Sequence, residues 1–441
     1  DTQGLYLDTS AGNEERVSDG GRFGGRIASR TYYRVFGKYL DRDSTFAVDP
    51  LSSDEWRSGH AGFRVDRDAG DRDTLTLQGD IYRGTIGQLA PAVTVIGRPG
   101  PAGPLRVHVN GGNLLTRWRR TVSANSDVQL RVYYDRTYRD DPSFTDALDT
   151  FDSDLQHRFR LASRQDVTWG ANYRFAANHN VSNGIFAVEP ARSRDHLLSG
   201  FVQDQIRVFD ALRVTVGTKL ERNTFSGVEF QPSGRVAWDL SPGHTLWGAA
   251  SRAVRVPTRL ERDVAIDASD PNGNPVVRLL GNEAFDSERL LAFEAGYRWQ
   301  ALQSLSVDVA AYENRYRGLA SLEMADPFLE AASNRTIVPL RNENLTAGRA
   351  RGVEALVTYS PLPPWRLSAS YSHMDLRLDP AGADLNRGEF LEGSTPRNQL
   401  GVRSSLDLPA RLQLDAQFRH VSAIKRMPPI VTGEGLRGYS E

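Results

Sequence analysis

The stretch SRAVRVPTRLERD, residues 251–263, decides how this chain is read. It alternates, carries four arginines and meets a proline at 257. Five of the six residues after Pro257 are polar, and four of those are charged. Taken as a strand over 245–256, it divides by parity. Leu246, Gly248, Ala250 and Val254 fall on one face; Trp247, Ala249, Ser251, Ala253 and Arg255 fall on the other. A period of two marks a strand with one apolar and one wet face. Proline cannot donate to a ladder, so Pro257 ends the strand, and Arg259, Glu261, Arg262 and Asp263 enter a loop.

The same alternation recurs along the chain. In LRVTVGTKLER (212–222), Leu212, Val214, Val216 and Leu220 oppose Arg213, Lys219 and Glu221. In DTLTLQGDIY (73–82), Leu75, Leu77 and Ile81 oppose Gln78 and Asp80. In RLQLDAQFRH (411–420), Leu412, Leu414 and Phe418 oppose Gln413, Asp415 and Arg419. Short turns at 209–211, 241–244, 301–304 and 361–364 join neighbouring runs, and long loops at 84–110, 259–287 and 378–393 close their other ends. Short turns on one rim and long loops on the other are the pattern of a transmembrane antiparallel β-barrel. About nineteen strand candidates lie between Gly4 and Ser422. Runs of roughly 9–12 residues suit a tilted membrane crossing and are too long for propeller strands. Trp238, Trp247, Trp299 and Trp365 sit beside turns of the same rim, where indoles form an interfacial girdle.

Composition agrees with a wet-and-apolar wall. Hydrophobic residues are 39% of the 441 positions and mean hydropathy is −0.47. No 18-residue apolar run exists, which excludes a membrane-spanning helix and leaves a barrel open. Lys plus Arg number 54 and Asp plus Glu 55, so the basic excess of a nucleic-acid binder is missing. With no cysteine, there is no disulfide scaffold and no thiolate chemistry. The opening DTQGLYLDTSAGNEER carries no secretory leader pattern.

Several segments in order resemble the barrels of TonB-dependent outer-membrane receptors. SRAVRVPTRLERD is similar to their strand-then-proline signature. LLGNEAFDSERLLAFEAGYRW (279–299) is similar to their G-N-x-x-L segment, with Phe285 in the leucine place. YYRVFGKYLDRD (32–43), residues 60–82, 307–323, 348–361 and 393–409 resemble further barrel segments. The resemblance implies an all-β transmembrane barrel of 22 strands, a plug domain inside it, and a TonB complex driving uptake of a scarce ligand such as a ferric siderophore. It implies a cell outer-membrane location in a Gram-negative bacterium. No plug and no TonB box precede Asp1, so residues 1–441 are read as the barrel domain truncated at both ends, with about 19 strands present. A gap is then expected between the strands at 4–12 and 412–422.

By parity Arg255, Glu288, Glu294, Arg298 and Glu354 face the lumen, as candidates for ligand or plug contact. Scaffold pairing between strands is the competing role, and it accounts for most such charges. Arg252 has lipid parity, where a charge is costly, so it is expected at the interface or reaching lipopolysaccharide phosphates. No catalytic set appears. His60, His108, His157, His179, His196, His244, His373 and His420 are scattered without HxxxH or HExxH spacing. The acidic segments do not match the EF-hand pattern, and no Walker lysine follows the Gly/Pro-rich 87–104. No enzyme, cofactor or metal is indicated. The alternative reading is a passive, porin-type or structural barrel.

Overall fold

The computed structural model describes residues 3–44, 53–89, 104–141, 144–182, 186–267, 275–383, 391–425 and 437–440. The first strands are β1 (Gly4–Ser10), β2 (Glu15–Ala28), β3 (Thr31–Arg42), β4 (Trp56–Asp68), β5 (Asp73–Leu89) and β6 (Pro104–Ser123). There follow β7 (Ser126–Asp141), β8 (Phe144–Leu161), β9 (Gln165–Ser182), β10 (Phe186–Val188), β11 (Arg192–Phe209), β12 (Leu212–Asn223), β13 (Gly227–Ser241) and β14 (His244–Arg255). One helical turn, α1 (Arg259–Asp263), leads into β15 (Val264–Asp267) and β16 (Val276–Leu280). The chain continues through β17 (Glu288–Leu302), β18 (Leu305–Met324), β19 (Phe328–Glu330), β20 (Arg335–Leu362), β21 (Trp365–Pro380), β22 (Asn398–Leu408), β23 (Leu412–Val421) and β24 (Tyr439–Ser440).

These 24 strands form one sheet. Five are of five residues or fewer (β10, β15, β16, β19, β24), which leaves nineteen long ones among the described residues. Each long strand pairs antiparallel with the next, across β9–β11, β14–β17 and β18–β20 where short strands intervene. The turns at 210–211, 242–243, 303–304 and 363–364 therefore lie on one rim, within the segments read from the sequence. Register shifts at Arg207/Phe209, Asp239/Ser241, Gln300/Leu302 and Tyr359/Leu362 fit the hairpins to these turns. Gly243 adopts φ +80° and its Cα lies so close to the Gln300 carbonyl that a Cβ would come within 2.8 Å. Only glycine fits there.

Long loops rise from the opposite rim. The expected loop at 84–110 is shorter than its sequence reading, because β5 runs on to Leu89 and β6 starts at Pro104; residues 90–103 lie outside the described residues. Among the described residues β1 pairs only with β2, and β23 pairs with β22 and, for two residues, β24. No pairing joins β1 to these last strands.

The two faces follow parity. Val216, Leu75, Leu77, Leu412 and Leu414 are all more than a third exposed on the apolar, outward face. Positions of the other parity form ion pairs and hydrogen bonds, along a strand for Lys219 to Glu221 at 2.5 Å, and across strands for Arg213 to Asp239 at 3.0 Å, Arg64 to Gln78 at 3.4 Å and Arg403 to Asp415 at 3.4 Å. Lipid solvates the first face and water the second.

Trp238, Trp299 and Trp365 take the outward parity beside the short-turn rim, and Trp118 and Trp169 join them there. Trp247 does not. It faces the lumen and lies over Gly296, where a Cβ would come within 2.4 Å of its ring. The period that governs its strand outweighs its nearness to a turn.

Candidate functional site

Arg255 stands at the outer end of β14, and Pro257 turns the chain there into α1. Its guanidinium donates to both oxygens of Glu288, at 2.8 and 2.7 Å, and to both oxygens of Glu261, at 3.0 and 2.6 Å. A planar fork bridging two carboxylates is a geometry lysine cannot supply. Glu261 also accepts from the Thr258 amide at 2.8 Å, and Glu288 from the Ala320 amide at 2.9 Å. Burial pushes the Glu261 carboxyl up, but the bonds from Arg255 and Thr258 outweigh it and hold the group below its ordinary value.

From this node the segment after β14 folds across the mouth. Arg259 donates to the lumen-side amides of Asn178 (2.6 Å) and Asn180 (2.8 Å) on β9, and to the Pro190 carbonyl. Arg262 donates to the Phe225 carbonyl at 3.0 Å and lies 5.5 Å from that ring. β15 then pairs with β10, placing Val264 opposite Val188, and β16 pairs with the start of β20, placing Val276 opposite Ile337. Arg278 bridges Asp267 (2.5 Å) and Glu330 (2.7 Å). The Asp267 bond and then that of Glu330 raise its pKa, while Ser333 and Arg278 hold Glu330 below its ordinary value.

This strap has its own small core. Val188, Val264, Val276, Ile337 and Phe285 are each 6% exposed or less. Phe285, the departure from the leucine pattern, is 1% exposed, and its carbonyl accepts from Arg262 at 3.3 Å. Gly281 admits the α1 backbone: a Cβ there would meet the Arg262 carbonyl carbon at 2.3 Å. The Asn282 amide donates to the Glu261 carbonyl at 3.0 Å. The proline segment and the G-N segment thus meet around α1, so the two sequence signatures are halves of one device.

The other sequence-picked residues disperse along the lumen face. Arg298 pairs with Asp308 at 2.7 Å near the turn rim, a scaffold contact. Glu294 stands opposite Ala249 and Tyr312, and Glu354 opposite Ala310 and Ser372. Both carboxylates are exposed, and neither has a hydrogen-bond or ion-pair partner among the described residues. Glu354 lines a cavity of about 520 Å³ with Asp308, Ser372, Gln399 and Arg419. Arg252 keeps its lipid parity, but its guanidinium bonds the Phe230 carbonyl and lies 3.4 Å from Glu229. Beyond Ser251 the strands β13 and β14 part, and the buried Glu229 draws the cation into the gap. Among the described residues no group of three His, Asp or Glu side chains is arranged to hold a metal ion.

The fold has counterparts in solved structures. The siderophore receptor PirA of Acinetobacter baumannii superposes with a TM-score of 0.77 at 15% identity, covering 99% of this chain and 72% of that one. A mutant of the ferric enterobactin receptor PfeA of Pseudomonas aeruginosa, in complex with enterobactin, superposes at 0.76 and 15%, covering 99% and 71%. The FrpB iron transporter of Neisseria meningitidis gives 0.71 at 12%, covering 96% and 71%. The iron-regulated outer membrane virulence protein of Vibrio cholerae is 23% identical over 187 residues, 41% of this chain. That match spans 28% of the Vibrio protein's length. The family model for the TonB-dependent receptor β-barrel matches residues 4–432, so the chain belongs to the TonB-dependent receptors and forms their outer-membrane barrel.

Proposed function

We propose that this barrel imports a large, scarce ligand across the outer membrane, a ferric siderophore being the first candidate, with energy delivered by a TonB complex through a plug domain. The observation that carries the reading is the circumference. Nineteen long strands among the described residues exceed the 16–18 of bacterial porins and approach the 22 of plugged outer-membrane transporters. The similar structures named for siderophores and iron support the ligand class. The strap supports a receptor, because it shapes the mouth with fixed, ion-paired chain. Glu294 and Glu354 are lumen groups without a partner among the described residues, available to plug or ligand.

The test is uptake of radiolabelled ferric siderophores by cells lacking this gene, complemented or not, with and without TonB. Uptake restored only when both are present supports the proposal. Uptake that persists without TonB supports a passive pore instead.

A further inference from the structure

The outward face near the loop rim carries charge where its parity calls for lipid. On β18, β20 and β21, Arg315 stands directly opposite Arg349, and Arg349 directly opposite Arg377. Arg289 stands directly opposite Arg317 on the next pair. Like charges facing each other across strands oppose sheet formation. Parity fixes the face: it is shared by Phe293, Val309 and Val353, all more than a third exposed, and the Arg315 guanidinium lies 5.4 Å from the Phe293 ring.

Carboxylates only partly answer this charge. Glu313 takes Arg315 at 2.5 Å and Arg351 at 2.9 Å, and lies 3.8 Å from Arg349. Asp375 takes Arg377 at 3.0 Å, and lies 3.6 Å from Arg397; Asp286 takes Arg289 at 2.8 Å. Arg317 has no acidic partner within 4 Å among the described residues. Seven arginines against these three carboxylates and Asp379, which shares their face one step beyond Arg377, leave a surplus of three positive charges, and Arg377 is 80% exposed.

The height is informative. Ten residues separate Leu305, at the turn, from Arg315; about 3.3 Å per residue and a tilt of about 45° put Arg315 roughly 23 Å above the turn. The apolar band of such barrels is about 25 Å tall. The ladder therefore stands at the outer edge of that band, with an apolar wall below it.

We propose that the Arg315–Arg349–Arg377 ladder binds the phosphate groups of a glycolipid in the outer leaflet, whose acyl chains lie on the wall below. Guanidinium forks match phosphate oxygens bidentately, and the anion relieves the repulsion along the ladder. The inference rests on the outward face, so it stands whether or not the transport reading does.

The test uses protein extracted from outer membranes in mild detergent, with bound lipid measured by native mass spectrometry. Wild type is expected to retain a phosphorylated glycolipid through delipidating washes, and to lose it when that lipid is enzymatically dephosphorylated. Millimolar inorganic phosphate should not displace it, because the acyl chains contribute. The triple variant Arg315→Gln, Arg349→Gln, Arg377→Gln should retain at least about tenfold less, while the three Arg→Lys changes keep part of it. Heat-modifiable mobility shows that each variant is folded. Equal retention by wild type and a folded triple variant overturns the proposal. So do retention indifferent to dephosphorylation, displacement by inorganic phosphate, and a protein in place of the lipid.

Discussion

Glu221 of β12 and Glu229 of β13 stand directly opposite each other, 5% and 4% exposed. Two buried carboxylates in register repel, and the fold sets a cation beside each: Lys219 at 2.5 Å from Glu221 and Arg252 at 3.4 Å from Glu229.

Arg252→Leu leaves Glu229 buried without its cation. We expect a loss of about 3–5 kcal/mol, the cost of breaking a buried pair, read as a lower urea midpoint for heat-modifiable mobility in lipid. Adding Glu229→Gln should recover most of it. A double variant as unstable as the single one would show that Arg252 acts through the Phe230 carbonyl alone.

Parity predicts opposite tolerance at adjacent residues. Leu77→Arg on the lipid face should cost about 2–4 kcal/mol near the midplane, and Gln78→Arg far less. Equal costs for the two in a bilayer folding assay would reverse the assignment of faces.

Acid should loosen the strap. The folded-state pKa of Glu261 is depressed from its ordinary value of 4.5. Its contribution is complete above the unfolded value and is lost as pH falls through the folded one. Glu330 shifts in the same direction. Amide exchange in 259–267 and 275–280 is therefore expected to speed up as pH drops below about 4.5, after correction for intrinsic rates. Exchange in β11–β13 should not follow. A strap whose protection is flat over that range would contradict the ionic brace.

Phe285→Ala empties a fully buried site beside α1. A cost of about 3–5 kcal/mol is expected there, seen as protease cuts in 256–287 while the barrel stays heat-modifiable. Cleavage unchanged from wild type would mean the backbone pairings alone hold the segment.

Glu294→Gln and Glu354→Gln remove lumen charge that no scaffold partner uses. Barrel stability should stay within about 0.5 kcal/mol, while ligand uptake falls. Arg298→Gln, which breaks only a scaffold pair, is the control. Full uptake by the two glutamate variants would remove them as plug or ligand contacts.

The wall was legible in the sequence because each strand states its own faces: the parity of Val216 against Lys219 needs no partner to be read. The strap was not. Residues 264–280 look like loop, and their partners at Val188 and Ile337 lie far off in the chain. Of the lumen candidates, Arg255 and Glu288 proved to share one node, while Glu294, Arg298 and Glu354 are spread along the face. Glu261, their third partner, looked like an exposed loop charge. The arginine ladder stayed hidden because its rungs come from three strands, and only register makes them neighbours.

The parallel pairing of β16 with β20 sets an order of events. Residues 276–280 find their partners at 337–341, after the whole β17–β18 hairpin has been made. In chain order β15 and Arg259 already have their partners in β10 and β9, whereas 276–280 gain theirs only with β20, and contacts over such separations form late. The strap is thus anchored at one end by β9 and β10, and fastens at the other when β20 arrives. A barrel stalled before that point would carry a strap held at one end alone.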